Sequence, residues 1–279
     1  MVYPTTTHLQ AHQKDALLYY TFPAFDRVPF VRHGFSTRLG GVSRGVYESM
    51  NLSFTRGDDD AAVQENFHRF CEAIGVSAEQ VVVSAQAHHT NIYNATAADC
   101  GRGVTRERGY TDIDGLLTDE PGVVLCTQYA DCVPLFFVDP VRRVVGTSHS
   151  GWRGTVARIG AVTVERMCRN YGCRREDILA AVGPSICQDC YEVSEEVIGL
   201  FRENFVEELW PKLFYGKENG HYQLNLWEAN RSIFEGAGIL PEHITVTDVC
   251  TACNPELLFS HRASGGKRGN LAGFLGLRA

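Results

Sequence analysis

The 279-residue chain has no excess of positive charge. Its 26 lysines and arginines face 33 aspartates and glutamates, giving a net charge of −7. Surfaces that bind nucleic acid are normally basic, so no nucleic-acid partner is expected. No stretch approaches the roughly 20 apolar residues of a membrane span, so no membrane partner is expected either. The run Met1-Val2-Tyr3-Pro4-Thr5 lacks a basic segment followed by an apolar one. No signal peptide is therefore expected, and a cytoplasmic location is the default. There is no internal repeat, low-complexity tract or linker. The ten histidines form no His-x-His pair.

What is present is an ordinary globular balance, 44% apolar and 21% charged, with ten cysteines. In a long cytosolic chain such cysteines are read as thiols or metal ligands before disulfides. Cys71 and Cys168 lie in helical patterns and Cys126 in an apolar strand pattern, so these three are read as core residues. Helices are predicted over 58–76, 155–171, 194–206 and 224–236 from apolar spacing, acidic first turns and terminal glycines. Short valine-rich runs predict strands at 81–83, 122–126, 135–138, 144–147, 178–182 and 244–249. The elements mix without strict β-α-β alternation, which predicts an α+β fold with mixed sheets. A single domain over residues 1–279 is expected, because the motifs spread across the whole length. A monomer is the default expectation.

The most informative spacing lies in Gln86-Ala87-His88, Ala130-Asp131-Cys132 and His149-Ser150-Gly151-Trp152-Arg153-Gly154. One thiolate and two imidazoles suit a borderline-soft cation such as zinc. Three protein ligands leave a fourth position open, as catalytic zinc sites do. His88 and His89 are adjacent, and on an extended segment neighbours point to opposite faces. His88 is taken as the ligand, with His89 the fallback.

The stretch after His149 reads as strand, glycine-bearing turn, then helix. A helix N-terminus after glycines offers free N–H groups to an anion, and Arg153 is placed there as a phosphate clamp. Arg38, in Ser36-Thr37-Arg38-Leu39-Gly40-Gly41, is a second anion candidate. Cys187-x-x-Cys190 and Cys250-x-x-Cys253 form two CxxC pairs. The 60 residues from Cys190 to Cys250 far exceed the roughly 15–20 of a zinc ribbon. On spacing, packed thiols near the pocket are favoured over a second zinc.

These residues carry a resemblance. His33-Gly34-Phe35-Ser36-Thr37-Arg38, Gly40-Gly41-Val42-Ser43 and Asn51-Leu52-Ser53 resemble the opening of the YfiH/YlmD family, also called the laccase-domain or polyphenol oxidase family. Gln86-x-His88, Asp112-x-Asp114-Gly115-Leu116, Ala130-Asp131-Cys132-x-Pro134 and His149-x-Gly151-Trp152-Arg153-Gly154 continue the match. Gly183-Pro184-Ser185-Ile186, Cys190-Tyr191-Glu192-Val193 and Ser260-His261-Arg262 extend it toward the C-terminus. The resemblance implies an α/β/β/α-layered fold related to the catalytic domain of cytotoxic necrotizing factor. It implies one zinc on His88, Cys132 and His149. It also implies phosphorolysis of purine nucleosides, namely adenosine, inosine, guanosine and S-methyl-5′-thioadenosine, with adenosine deamination at the same site. Where a Gly-Arg pair is common near the family's C-terminus, this chain reads Lys267-Arg268-Gly269-Asn270.

On this reading the partners are a purine nucleoside and phosphate, with Arg38 and Arg153 positioning phosphate. Deamination needs a carboxylate for proton transfer, and Asp131 and Asp114 both remain open. Two other functions compete. A copper phenol oxidase needs a histidine-rich copper cluster, which the missing His-x-His pairs argue against. Copper still binds such ligands tightly and is an adventitious substitute for zinc. A metal-free cysteine hydrolase would use Cys132 as nucleophile and His149 as base.

Overall fold

Val63, Phe67, Phe70, Cys71 and Ile74 recur at three- and four-residue steps and so share one face of a helix. In the computed structural model, which describes residues 6–278, that helix runs Asp60–Ile74. The Asp59 side chain accepts from the Ala61 N–H at its start, and Gly75 closes it at φ 75°. The strands are β1 (Gln10–Lys14), β2 (Leu17–Thr21), β3 (Val31–Ser36), β4 (Val81–Val83), β5 (Ile92–Asn94), β6 (Gly115–Thr118), β7 (Val124–Tyr129) and β8 (Val133–Asp139). There follow β9 (Val144–Ser150), β10 (Leu179–Val182), β11 (Glu192–Val193), β12 (Phe214–Gly216), β13 (Tyr222–Leu224), β14 (Ile244–Val246) and β15 (Leu271–Leu277). The helices are α1 (Pro23–Asp26), α2 (Asp60–Ile74), α3 (Trp152–Val156), α4 (Ile159–Tyr171), α5 (Glu195–Asn204), α6 (Trp210–Leu213), α7 (Leu226–Gly236) and α8 (His261–Ser264).

Two six-stranded mixed sheets, ordered β1-β2-β3-β15-β7-β4 and β14-β10-β8-β9-β6-β5, stack between helices. A small sheet, β11-β13-β12, sits apart. Strand alternation explains the layering. In β8, Phe136 and Val138 pack between the sheets, while Leu135 and Phe137 face α4 and α7. In β7, Leu125 joins the inter-sheet core, while Val124 and Cys126 pack with Phe67 and Phe70 of α2. The order of layers is therefore helix, sheet, sheet, helix, as the resemblance implies. Truncating an inter-sheet phenylalanine such as Phe136, 1% exposed, is expected to cost about 3–5 kcal/mol.

The predicted elements shift in places. The helix expected over 155–171 is two helices, α3 and α4, because Arg158 sits in the left-handed region at φ 57° and breaks the run. The expected glycine turn at 151–154 is already the first turn of α3. That helix has only five residues, too short a dipole to make its N-terminus an anion site by itself. Cys71 and Cys126 are buried in the core and Cys168 packs half-buried against it.

The topology gathers chain ends. β4 runs parallel to β7, β9 runs antiparallel to β8, and β14 runs parallel to β10. The C-terminal ends of β4, β7, β9, β10 and β14 therefore emerge at one end of the sandwich, where β8 and β15 begin.

Candidate metal centre and active site

The turn between β7 and β8 carries the chain from one sheet to the other. It closes in three residues because Asp131 takes φ 87°, and it delivers Cys132 to the gathered end. His149, next to last in β9, lies opposite Pro134 of β8. Asp114 immediately precedes β6, the other neighbour of β9, and its carbonyl accepts from the His149 N–H at 2.7 Å. The Asp114 carboxylate also accepts from His149 Nδ1 at 2.8 Å. This fixes the ring and leaves Nε2 as the nitrogen that could bind a metal. The same carboxylate accepts the N–H groups of Ala87, His88 and His89 at 2.8, 3.0 and 3.1 Å. Those bonds hold the strained His88 backbone at φ 64°.

One buried carboxylate, 0% exposed, thus places both histidines. Burial pushes the Asp114 carboxyl up, but its bonds from His149, Ala87 and His89 outweigh this and hold it below the usual carboxylate range. With four donors in place it is not available to carry protons. Of the two carboxylates the sequence left open, Asp114 is the positioning group.

The ligand atoms of His88, Cys132 and His149 lie within 4.8 Å of one another. The two rings meet edge to face with centroids 4.7 Å apart. Gly151 supplies the space: a Cβ there would stand 2.8 Å from His88 Nδ1 and 3.2 Å from Cys132 Sγ. A donor set of two imidazoles and a thiolate, with one ring fixed by a carboxylate, fits a zinc-like ion. His89 points elsewhere, its Nδ1 2.7 Å from Asp112 in solvent. Burial lowers the His88 imidazole, as does neighbouring His149. Burial also works to lower His149, but Cys132 and Asp114 raise it to about 9. A metal binding here must displace that proton.

Beside these groups opens a cavity of about 530 Å³, within the range of small-molecule sites. His88, Cys132 and His149 are among its lining residues. Arg56, Arg108, Arg262 and Arg268 also line it, and Asp131 is the only carboxylate among the lining residues. The Nε atoms of Arg56, Arg108 and Arg268 are buried with no hydrogen-bond partner among the described residues. An unsatisfied buried donor costs about 1–3 kcal/mol, more when charged, so three together favour an anion. Burial, reinforced by Arg56, lowers Arg268 to about 10. Tyr191 adds an aromatic wall, and burial pushes its phenol well above the usual range.

Not every expected residue reaches the cavity. Arg38 is outside it: Nε donates to Glu48 O at 2.8 Å, Nη1 donates to Pro255 O at 2.7 Å, and the guanidinium stacks over Phe259. It fastens two loops and is not placed to meet phosphate. Arg153 lies over the Trp152 ring at 4.1 Å and lines a smaller recess beside His88 and Cys132. Asp131 lines the cavity, and its carboxylate accepts from Thr251 Oγ1 and the Arg262 N–H, both at 2.6 Å. Sequence reasoning missed Arg56 and Arg108, which sit in irregular loops with no motif around them. Arg268, at the departure from the family pattern, is a lining residue.

Comparison with known proteins settles the family. The model of the multi-copper polyphenol oxidoreductase laccase family matches residues 32–278. The chain belongs to this family, of which the YfiH and YlmD proteins are members. It is 36% identical over 246 residues to the purine nucleoside phosphorylase YlmD of Bacillus subtilis, covering 88% of each chain. It is 34% identical over 235 residues to the adenosine deaminase RL5 of an unknown prokaryotic organism, covering 83% of this chain and 88% of that one. The crystal structure of YfiH from Bacillus licheniformis superposes with a TM-score of 0.90 at 33% identity, covering 96% and 99% of the two chains. The relatives are thus named as enzymes of purine nucleosides, within a family whose own name denotes copper oxidation.

Proposed function

We propose that the chain is a zinc-dependent purine nucleoside phosphorylase, with adenosine deamination as a second activity of the same cavity. The substrates are adenosine, inosine, guanosine and S-methyl-5′-thioadenosine. The observation that carries this reading is a set of three candidate metal ligands and three half-buried arginines, Arg56, Arg108 and Arg268, whose Nε atoms are buried without a partner, all lining one cavity. His88, Cys132 and His149 would hold the ion, which supplies a Lewis acid with a fourth position open to substrate or water.

The remaining work falls to the chain's own side chains. Phosphate is bound by Arg56, Arg108 and Arg268, whose buried donors match a polyanion. Held in the cavity with the nucleoside, it attacks C1′ as the bond to the purine breaks. Tyr191 packs against the substrate and keeps water out. Asp131, the lining carboxylate, carries the proton in deamination, while Asp114 holds the two histidines. Arg153 borders the smaller recess and adds positive charge at the ligand set. The chain is read as one domain over residues 1–279, acting as a cytoplasmic monomer.

Similarity to a named adenosine deaminase supports the second activity. The laccase reading has less support: the candidate metal clusters among the described residues are the His/Cys/His set and a group of four cysteines, and neither holds more than two histidines. Chromatography of adenosine turnover with and without phosphate tests the proposal. Adenine and ribose 1-phosphate formed only with phosphate support phosphorolysis. Inosine alone, independent of phosphate, replaces it with deamination. Turnover by metal-free protein, lost on alkylating Cys132, points to the cysteine hydrolase.

A further inference from the structure

The two CxxC pairs are 60 residues apart in sequence and adjacent in space. β10 and β14 are parallel neighbours, Ala180 opposite Ile244 and Val182 opposite Val246. The pairing continues past their ends: Thr247 N donates to Val182 O, Ser185 bridges Cys250, and Thr251 N donates to Ser185 O. The segments after the two strands therefore leave side by side, each carrying its CxxC. The residues between them, β11 to α7, pack against the outer face of the second sheet before β14 returns beside β10, which explains a gap that looks too wide for a zinc ribbon.

The four sulfurs of Cys187, Cys190, Cys250 and Cys253 lie within 4.8 Å of one another. Cys187 Sγ is 3.9 Å and Cys190 Sγ 3.3 Å from Cys253 Sγ. Tetrahedral zinc with Zn–S bonds of about 2.3 Å needs sulfurs about 3.8 Å apart, so small adjustments suffice. The N–H groups of Cys187 and Cys253 both point at Cys250 Sγ, at 3.3 and 3.4 Å. Such N–H donors offset the charge of a ligating thiolate. Simple packing does not account for the group, because packed cysteines are normally buried. Only Cys250 is buried here; Cys187 and Cys190 are half-exposed and Cys253 is exposed.

We propose that Cys187, Cys190, Cys250 and Cys253 form a second, structural zinc site that clips the β10 loop to the β14 loop. Four sulfur ligands complete the coordination, so this ion is not catalytic. Its position gives it a task at the cavity. Tyr191 follows Cys190 directly, Arg262 donates to Cys190 O at 3.2 Å, and Thr251 beside Cys250 holds Asp131. The clip fixes the wall that Tyr191, Arg262 and Asp131 form.

Metal content of the whole chain, purified under reducing conditions without added metal, tests the proposal. Two zinc ions per chain are expected in the wild type. The Cys190→Ser/Cys253→Ser variant should lose one and His149→Ala the other. Should the cysteine variant fail to fold, wild-type protein titrated with an organomercurial in the presence of a zinc-sensitive dye gives the same answer. It should release two zinc ions as thiols are consumed. One zinc per chain, unaffected by the cysteine substitutions, would overturn the second site. Two disulfides in place of metal would also overturn it, and iron at the four sulfurs would overturn zinc as its occupant.

Discussion

Two sulfur-bearing centres sit at the same end of the sandwich, and they differ in what surrounds them. The first has three candidate ligand residues, a buried carboxylate fixing two of them and a cavity of about 530 Å³ alongside. The second has four cysteines, backbone N–H groups in place of a carboxylate, and no place in the cavity lining. A centre that lacks a fourth protein ligand and faces a cavity can act on a substrate. One that has all four can only hold loops together. Ligand count and surroundings separate the two, although both are built on cysteine.

Substitutions that swap these properties test the contrast. The largest effect is expected from His149→Ala, which should remove the first ion and lower nucleoside turnover more than about a hundredfold, since even outer partners of ligands cost 10–100-fold. Retained turnover with that ion lost would place the chemistry elsewhere. Asp114→Asn should weaken metal binding about 10–100-fold, because both histidines lose their common anchor. A competition titration against a chelator measures it, and unchanged affinity would contradict the anchoring role. Acid should act in the same direction. Cys132 and Asp114 raise His149 to about 9, so apparent affinity should rise at least about tenfold per pH unit between about pH 6 and 8 as the ligand protons are displaced. A flat profile would contradict this. The smallest effect on turnover belongs to Cys190→Ser/Cys253→Ser. It should lower the unfolding temperature while reducing activity less than His149→Ala does; the reverse ranking would merge the two centres into one functional unit.

The grouping of His88, Cys132 and His149 was legible because these residues fall in short, ordered motifs: Gln86-x-His88, Asp131-Cys132 and His149-x-Gly151. The α+β class was legible from periodicity, as in the single apolar face of α2. The arginine wall was not. Arg56 and Arg108 lie in loops, and only the sheet topology brings them together with Arg268 near β15. Arg38 misled because its glycine-rich setting resembles an anion loop, whereas its donors reach the carbonyls of Glu48 and Pro255. The role of Gly151 was hidden as well, since it depends on how closely His88 and Cys132 approach. The gap between the two CxxC pairs hid how closely their four sulfurs approach, because the parallel strands β10 and β14 end side by side and deliver the two segments together.

The central claim is that phosphate is held by Arg56, Arg108 and Arg268 in the cavity that the proposed metal ligands also line. Its most direct test is the initial rate of adenine release against phosphate concentration, wild type against Arg108→Gln. Loss of one charge-assisted contact should raise the KM for phosphate about tenfold to a hundredfold, with a smaller change in the KM for adenosine. An unchanged KM for phosphate, or adenosine turnover that needs no phosphate at all, would contradict the account.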